Sequence, residues 1–584
     1  MNPIASPTTA RHPVPAPPRR RSTRILAAIA AATAVVGVGA CGTSSVAFGE
    51  PSEKVAAGRL KVGSERRDPA VVRTDSGAVR GVVAADHRSF LGVPYAAPPE
   101  GVLRWRSPTP VEPWSGTRDA TAPGPGCAQL QGLPTDHPSE AEDCLYLNVT
   151  TPGPKRVKEI GKGKLPVMVW IHGGHFTFGQ GDVYGGGALA TGGDVIVVSM
   201  NYRLGPLGFL AHPALDADGD GDAGADTGAG VGAGEHTSGN FGLEDQQAAL
   251  RWVRRNAAAF GGDPNNVTLF GQSAGATSVC AHLAAPGSAG LFDRAIMQSN
   301  SCTAPTPAYD TAEQEGLALA AKLGCTDPDP AVTAACLRKK SAATLIAAAG
   351  FPGQGFNPGP VTGGSVLPVD PARALATGRI HKVPVMIGTT HDEYRAQLWG
   401  MERTGMNCPD EQAGPEPEPC PLTDAQYTEQ LRAVFGDRAN AVAARYPVEE
   451  YGSASEALAA AMTDYEYVRP ALDADALFAR DVATYAYEFA DPKAPFFAGE
   501  PETLFTVGYA DPLDAGQRRL SGQMIEYWAR FAHTGNPNSA KTPAWPRFDS
   551  RSRYVQSLAP GNGGIRRTDL ARDHHYDFWA TLGR

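Results

Sequence analysis

The feature that most constrains the fold is a serine between two glycines, Gly-Gln-Ser-Ala-Gly at residues 271–275. The apolar run 267–270 before it is typical of a strand, and the helix-forming residues 276–285 follow it. A Gly-x-Ser-x-Gly sequence between a strand and a helix is typical of a tight turn that exposes the serine hydroxyl at the end of a sheet. Glycines permit the unusual backbone angles of such a turn. The pattern predicts that Ser273 is a nucleophile; in a chain with 67 glycines, the alternative is a turn without chemistry.

Short apolar runs alternate with helical stretches over most of the chain. Strands are predicted at residues 165–171, 195–200, 267–270, 383–388 and 484–489, and an amphipathic helix at 243–260. Continuous apolar strands that alternate with helices indicate a parallel sheet covered on both faces. The predicted fold class is therefore α/β, with a large, mostly parallel central sheet flanked by helices.

Composition excludes some classes of partner. Lys and Arg number 52 against 61 Asp and Glu, a net charge of −9, which argues against binding to nucleic acid through phosphate neutralisation. No C-x-x-C spacing is present, and we predict no metal site and no cofactor. Residues 216–222 open like a calcium loop, but its twelfth position is Thr227 where such loops carry glutamate. We therefore predict a surface insertion at about 215–238 and a second at about 400–421.

The N-terminus has the organisation of an export signal. Arginines at 19–21 and 24 precede the apolar segment 25–40, which is short for a membrane span. Small residues directly before Cys41 resemble a bacterial lipoprotein cleavage box and predict that Cys41 is lipidated; a twin-arginine signal fits poorly. Residues 1–40 are thus predicted as a signal, 41–69 as a tether and 70–584 as the folded domain. The protein is expected to be exported, as a cell-envelope lipoprotein or in secreted form, with the lipid anchor as its contact with the membrane.

Cysteine usage supports export. The chain has nine cysteines, and the eight besides Cys41 can pair fully in an oxidising compartment. Proximity favours four pairs, although the sequence alone leaves the connectivity open: Cys127 with Cys144, Cys325 with Cys336, Cys408 with Cys420, and Cys280 with Cys302.

A second glycine motif, His172-Gly173-Gly174, follows the strand predicted at 165–171. Acyl transfer by a serine needs an oxyanion hole, a base and an orienting acid. The backbone N–H groups of Gly173 and Gly174, with that of Ala274, would face a carbonyl oxygen bound at Ser273. The alternative is a glycine turn with surface histidines.

These motifs belong to a longer pattern. The chain resembles the type-B carboxylesterase family, which includes bacterial esterases and the cholinesterases. The matching segments run in order over roughly residues 70–580 and include 90–96, 142–149, 172–174, 201–205, 239–246 and 260–268. The resemblance implies an α/β-hydrolase fold, a Ser-Glu-His triad in that chain order, and hydrolysis of small-molecule carboxylic esters through an acyl-enzyme on Ser273. It also matches Cys127 and Cys144 to the family's first disulfide loop.

The resemblance places the triad acid in the segment 385–393, which is similar to the family's loop after a strand. Glu393 occupies the carboxylate position, and Asp392 beside it is the alternative.

The base position departs from the family. Residues 485–489 match the family's Tyr-x-Phe strand, and Ala498, Glu500, Leu504 and Phe505 match the motif that its histidine opens. This register puts Phe497 at the histidine position.

Other residues do not fill that position convincingly. No histidine lies between His391 and His533, and a register with Asp511 as base leaves too short a segment before a helix at 523–533. His533, His574 and His575 are expected at the surface or in packing. His391 precedes the acid and would break the family's chain order as a base, but the sequence leaves it open as a candidate.

The base is therefore unidentified, and two functions remain. One is an exported serine carboxylesterase, and the other is a catalytically impaired esterase-like protein that binds a ligand or a partner. The sequence does not indicate an oligomeric state.

Overall fold

The computed structural model of the protein describes ten stretches of the chain, all within the unit Arg66–Arg584. They are residues 68–130, 138–160, 165–217, 236–351, 353, 355–403, 420–494, 500–501, 504 and 512–583. The predicted signal with Cys41, nearly all of the tether, and most of both predicted insertions lie outside the described residues.

Two sheets organise the described chain. Its strands are β1 (Val71–Arg73), β2 (Ala78–Arg80), β3 (Val82–Val83), β4 (His87–Pro94), β5 (Thr117–Asp119), β6 (Tyr146–Pro152), β7 (Leu165–Ile171), β8 (Ile196–Met200), β9 (Gly262–Gln272), β10 (Arg294–Gln298), β11 (Val385–Thr390), β12 (Thr484–Phe489), β13 (Val555–Leu558) and β14 (Arg566–Thr568). β1, β2 and β5 form a small sheet, and the large sheet has eleven strands in the order β14-β13-β12-β11-β10-β9-β7-β8-β6-β4-β3.

The centre of the large sheet is parallel. The pairs from β8 through β7, β9, β10, β11 and β12 to β13 all run parallel, whereas β14 and the strands β6, β4 and β3 add antiparallel margins. Every residue of β7, β11 and β12 is buried, as expected for parallel strands covered on both faces. The predicted fold class is confirmed, with a mixed sheet whose parallel part is central.

Helices cover both faces. They are α1 (Pro154–Ile160), α2 (Gly187–Gly193), α3 (Gly205–Phe209), α4 (Pro213–Ala217), α5 (Phe241–Phe260), α6 (Ala274–Ala284), α7 (Tyr309–Lys322), α8 (Pro330–Arg338), α9 (Ala342–Ala349), α10 (Pro371–Ala376), α11 (Arg395–Arg403), α12 (Asp424–Phe435), α13 (Ala439–Arg445), α14 (Val448–Tyr451), α15 (Ala454–Met462), a π-helical turn (Thr463–Val468), α16 (Arg469–Phe478), α17 (Ala515–Thr534), α18 (Leu570–Asp573) and α19 (Tyr576–Thr581). Short 3₁₀ turns lie at Gly101–Leu103, Pro286–Ser288 and Gly436–Arg438.

The two faces of β7 show how the core is divided. Alternate residues of a strand point to opposite sides of a sheet. Val167 and Val169 pack in one cluster with residues of α5 such as Leu250, while Met168 and Trp170 pack in a second cluster with residues of α17 such as Trp528. The apolar strand thus joins two cores.

Three of the predicted disulfides are present, namely Cys127–Cys144, Cys280–Cys302 and Cys325–Cys336. Cys420 is also disulfide-bonded, and its predicted partner Cys408 lies outside the described residues. In the part of the chain that is described, no helix has both the length and the apolar character that a membrane span requires.

Candidate active site

Ser273 lies in a sharp turn between β9 and α6. Its φ of 57° and ψ of −123° are unusual for a residue with a side chain, and such strain persists where surrounding structure enforces it. The Ser273 N–H donates to the carbonyl of Gln298 in β10 at 2.9 Å, and the Ser273 carbonyl accepts from the N–H of Thr277 at 2.9 Å. The turn is therefore held by the neighbouring strand and by the first turn of α6.

Gly275 allows this turn to pack against β7. A Cβ atom at Gly275 would lie 2.1 Å from the carbonyl oxygen of Ile171, the last residue of β7. Side-chain atoms cannot approach backbone so closely, so glycine is required where the turn crosses the end of β7.

The glycine loop after β7 lies against the serine. A Cβ atom at Gly173 would come within 3.1 Å of the Ser273 Cβ, which places the Gly173 backbone beside the nucleophile. Gly174 has φ 108°, and its carbonyl accepts from the N–H groups of Thr177 and Phe178 at 2.9 and 3.0 Å. The structure thus brings Gly173 next to Ser273 and Ala274, the residues that sequence analysis grouped.

His172 supports this loop. Its buried ring stacks on Tyr202 with centroids 4.5 Å apart, and its Nδ1 lies 2.7 Å from the carbonyl oxygen of Gly173. The Tyr202 hydroxyl donates to the His172 carbonyl at 3.0 Å. Burial lowers the pKa of His172 to about 4, so the ring is neutral at ordinary pH. These contacts position the loop, and the alternative of a glycine turn with surface histidines does not hold for His172, which is buried.

Glu393 is directed into the interior from the loop after β11. Its side chain is fully buried, and Oε1 accepts from the N–H of Thr390 at 2.7 Å. Asp392 is part-exposed and lies 3.9 Å from Arg395. Of the two carboxylates left open by the sequence, the structure directs Glu393 inward.

The second oxygen of Glu393, Oε2, is buried and makes no hydrogen bond in the described part of the chain. Burial raises the pKa of Glu393 to about 7. A carboxylate that orients an imidazole would use such an oxygen.

No histidine within the described ranges hydrogen-bonds Ser273 or Glu393. His391 pairs with Glu488, His533 lies 3.1 Å from the carbonyl of Gly193, and His574 is buried between Asp464 and Glu488. The predicted position of the base, Phe497, and the alternative Asp511 lie outside the described residues.

Glu500 is a buried neighbour of this site whose role sequence analysis did not assign. Its Oε1 accepts from Gln298 Nε2 at 2.7 Å and from the hydroxyl of Tyr487 at 2.5 Å. Burial raises the pKa of Glu500 to about 8, and the negative charge of Glu393 adds to the rise. The backbone carbonyl of Gln298 accepts from the Ser273 N–H, so Glu500 supports the end of β10 that holds the nucleophile. In the sequence, the match of Glu500 to the family motif was the feature that could have indicated this residue.

The arrangement of these parts defines a class. A serine on a strand–turn–helix, a glycine loop beside it and a buried carboxylate after a later strand, all at the ends of parallel strands, constitute the α/β-hydrolase fold.

Comparison with known proteins supplies the family. The model of the carboxylesterase family matches residues 68–226 and 228–579. Fumonisin B1 esterase of Sphingopyxis macrogoltabida is 35% identical over 524 residues, covering 85% of this chain and 88% of that protein. Para-nitrobenzyl esterase of Bacillus subtilis (strain 168) is 34% identical over 509 residues, covering 84% and 94%. A solved structure of a thermophilic PNB esterase superposes with a TM-score of 0.69 at 30% identity, covering 88% of this chain and 100% of that one. The chain belongs to the carboxylesterase family, a family of carboxylic ester hydrolases.

Proposed function

We propose that this protein is an exported serine carboxylesterase that hydrolyses small-molecule esters through an acyl-enzyme on Ser273. The observation that carries the proposal is the strained turn at Ser273 with the Gly173 backbone against it. This combination supplies a nucleophile beside oxyanion donors, which is what ester hydrolysis requires of a site.

The reaction proceeds in two halves. Ser273 Oγ forms a bond to the ester carbonyl carbon while the bond to the alcohol oxygen breaks, and the alcohol leaves with a proton. The N–H groups of Gly173, Gly174 and Ala274 stabilise the oxyanion. Water then attacks the acyl-serine and releases the carboxylic acid. Glu393 orients the group that carries the proton, and that group is not a histidine at position 497.

Phe497 is the observation that favours the alternative, an impaired esterase-like protein that binds a ligand or partner. Loss of one triad member in serine hydrolases removes on the order of 10⁴–10⁶ in rate. The relatives are named as esterases, which does not favour this alternative.

One experiment separates the two functions. We expect p-nitrophenyl butyrate to give a burst of p-nitrophenol, and a fluorophosphonate probe to label the peptide that contains Ser273. Ser273→Ala is expected to lose both signals, whereas Ser278→Ala, on the same helix, retains them. Wild-type protein without burst or label would overturn the esterase proposal in favour of the binding protein.

Export and anchoring form a separate part of the proposal. The signal-like residues 1–40 and the disulfides of the folded domain support an oxidising destination. We expect the wild-type protein to incorporate radiolabelled palmitate and to sediment with membranes. Cys41→Ala is expected to lose the label. Equal labelling of wild type and Cys41→Ala would contradict anchoring at Cys41.

A further inference from the structure

Three side chains with metal-binding atoms converge where β11 and β12 end side by side. His391 follows β11, and its N–H donates to the carbonyl of Phe489 at 2.9 Å. Glu488 is near the end of β12. His574 comes from the C-terminal segment between α18 and α19. Residues 391, 488 and 574 are far apart in sequence, so no local motif predicts that these three side chains meet.

The distances are close to those of a metal centre. His391 Nδ1 lies 2.6 Å and His574 Nε2 lies 3.2 Å from Glu488 Oε1, and all three atoms lie within 4.8 Å of one another. Zinc bonds of about 2.0–2.2 Å at tetrahedral angles separate neighbouring ligand atoms by roughly 3.3–3.6 Å. The His391–Glu488 distance of 2.6 Å must therefore lengthen by about 1 Å when an ion binds, and His391, whose side chain is 49% exposed, is the ligand least enclosed by packing.

Outer contacts orient the ligands as metal sites require. His574 Nδ1 lies 2.5 Å from Asp464 Oδ1, so the ring is oriented with Nε2 towards Glu488. Metal-binding histidines characteristically make such a contact from their second nitrogen to a carboxylate. Asp464 Oδ2 accepts from the Tyr446 hydroxyl at 2.6 Å, and that hydroxyl accepts from Trp579 Nε1 at 2.7 Å.

The backbone at Asp464 is also distinctive. Asp464 lies in the π-helical turn Thr463–Val468, between α15 and α16. Single π-helical turns are rare and occur frequently at functional sites. The turn places the Asp464 carboxylate against His574.

The chemistry of the donors selects the metal. Two imidazole nitrogens and one carboxylate oxygen suit zinc and its neighbours in the first transition series, whereas calcium and magnesium require oxygen ligands. One dication would balance the carboxylates of Glu488 and Asp464 in place of the protons on His391 and His574. Glu488 and His574 are buried, while the side chain of His391 is 49% exposed and leaves a route for the ion.

We propose that His391 Nδ1, Glu488 Oε1 and His574 Nε2 bind one Zn²⁺ ion, with water as the fourth ligand. The bound ion joins the ends of β11 and β12 to the C-terminal segment. Because Glu393 is two residues from His391, the same ion fixes the start of the loop that carries this carboxylate.

The test measures metal binding and does not depend on ester hydrolysis. Metal-stripped full-length protein is titrated with Co²⁺, whose visible absorption reports tetrahedral nitrogen and oxygen ligands, and then with Zn²⁺ in competition. We expect one equivalent of Zn²⁺ per chain, displacement of Co²⁺, and a higher melting temperature with Zn²⁺ but not with Ca²⁺ or Mg²⁺. The Ser273→Ala variant should bind Zn²⁺ like the wild type, so that failure of the esterase proposal leaves this result unaffected.

Variants identify the ligands. His391→Ala removes a half-exposed side chain, so we expect a folded protein with at least about 10- to 100-fold weaker Zn²⁺ binding, given that even outer contacts have effects of this size. His575→Ala is the matched control, because His575 neighbours the site but pairs with Arg445, and its Zn²⁺ affinity should equal that of the wild type. Absence of stoichiometric Zn²⁺ uptake, or equal affinity in His391→Ala and wild type, would overturn the proposal.

Discussion

At the scale of single residues, Glu500 makes the stability of this protein depend on pH. The side chain is fully buried, and Oε2 has no hydrogen-bond partner among the described residues. Its pKa is about 8 in the folded protein against an ordinary value of 4.5. The folded state therefore binds one more proton than the unfolded state between these values, and the free energy of unfolding falls as pH rises through this window.

Glu500→Gln is expected to remove this dependence, because the amide is neutral and its oxygen can still accept from Gln298 and Tyr487. The free energy of unfolding of the variant minus that of the wild type is the quantity compared. We expect this difference to be roughly 3 to 5 kcal/mol more favourable to the variant at pH 8.5 than at pH 4.5. Guanidinium unfolding at the two pH values measures the difference. The exposed Glu112→Gln variant serves as the control, and an equal offset for Glu500→Gln at both pH values would refute the prediction.

Phe497 offers a prediction about rate. If the family register holds, Phe497→His restores the imidazole between Glu393 and Ser273. Because the proposed esterase already has a group that carries the proton, we expect kcat/KM for p-nitrophenyl butyrate to change by less than about tenfold. Phe496→His, one residue away, serves as the control. A rise on the order of 10³- to 10⁵-fold in Phe497→His alone would show that the wild type lacks an effective base, and would favour the impaired esterase-like protein.

At this scale the sequence predicts backbone geometry where a local motif requires it, whereas contacts between distant residues leave no local pattern; the roles of the site residues stay predictions. Ser273, Gly173 and Gly174 lie in short motifs whose backbone requirements appear in the sequence itself. The cluster of His391, Glu488 and His574 depends on strand order in the sheet, which no local pattern records. Sequence analysis accordingly predicted no metal site.

At the scale of elements, a buried ion pair joins α5 to the segment after β8. Arg203 and Asp245 are 4% and 0% exposed and make two side-chain contacts of 2.8 and 2.7 Å. The Arg203 N–H also donates to Asp245 at 3.0 Å. Both residues fall in segments that carry the family resemblance, and here their role is to hold the fold.

Asp245→Asn is expected to destabilise the protein by about 3–5 kcal/mol, because it leaves the Arg203 charge buried without compensation. The shift of the guanidinium unfolding midpoint measures the loss. Arg255→Gln breaks a half-exposed pair with Asp75 and should cost less than about 1 kcal/mol. Similar midpoints for the two variants would contradict this account of the buried pair.

The apolar pattern predicts the bounds of a strand accurately where every residue of that strand is buried. The strands at 165–171 and 484–489 were predicted at their observed bounds, whereas β9 begins at Gly262, five residues before the prediction. The polar residues 263–266 carry no strand pattern, and the register between β7 and β9 shifts across them, from the pair Leu165–Gly262 to the pair Val167–Val267. Strand-like runs at 78–83 and 90–95 indicate the strands of this margin, but their antiparallel orientation was not predicted, because a short run such as β3 carries no signal of strand direction.

At the scale of the whole molecule, disulfides restrict the unfolded chain. Cys280 in α6 is bonded to Cys302, beyond β10, at a sequence separation of 22. Closing a loop of this length lowers the conformational entropy of the unfolded state, which stabilises the folded state by about 3 kcal/mol. The bond also ties the helix that follows Ser273 to the adjacent strand end.

The double variant Cys280→Ala/Cys302→Ala is therefore expected to lose about 3 kcal/mol of unfolding free energy under non-reducing conditions. The double variant Cys325→Ala/Cys336→Ala opens a loop with a separation of 11 and should lose slightly less, since the entropy of loop closure grows only slowly with length. Guanidinium unfolding of both variants beside the wild type gives the two values.

Treatment of the wild type with dithiothreitol should produce a larger loss of unfolding free energy than either variant, because it opens every accessible disulfide at once. A Cys280→Ala/Cys302→Ala protein that unfolds at the wild-type midpoint would show that the native packing around α6, rather than the covalent link, sets the stability of this region.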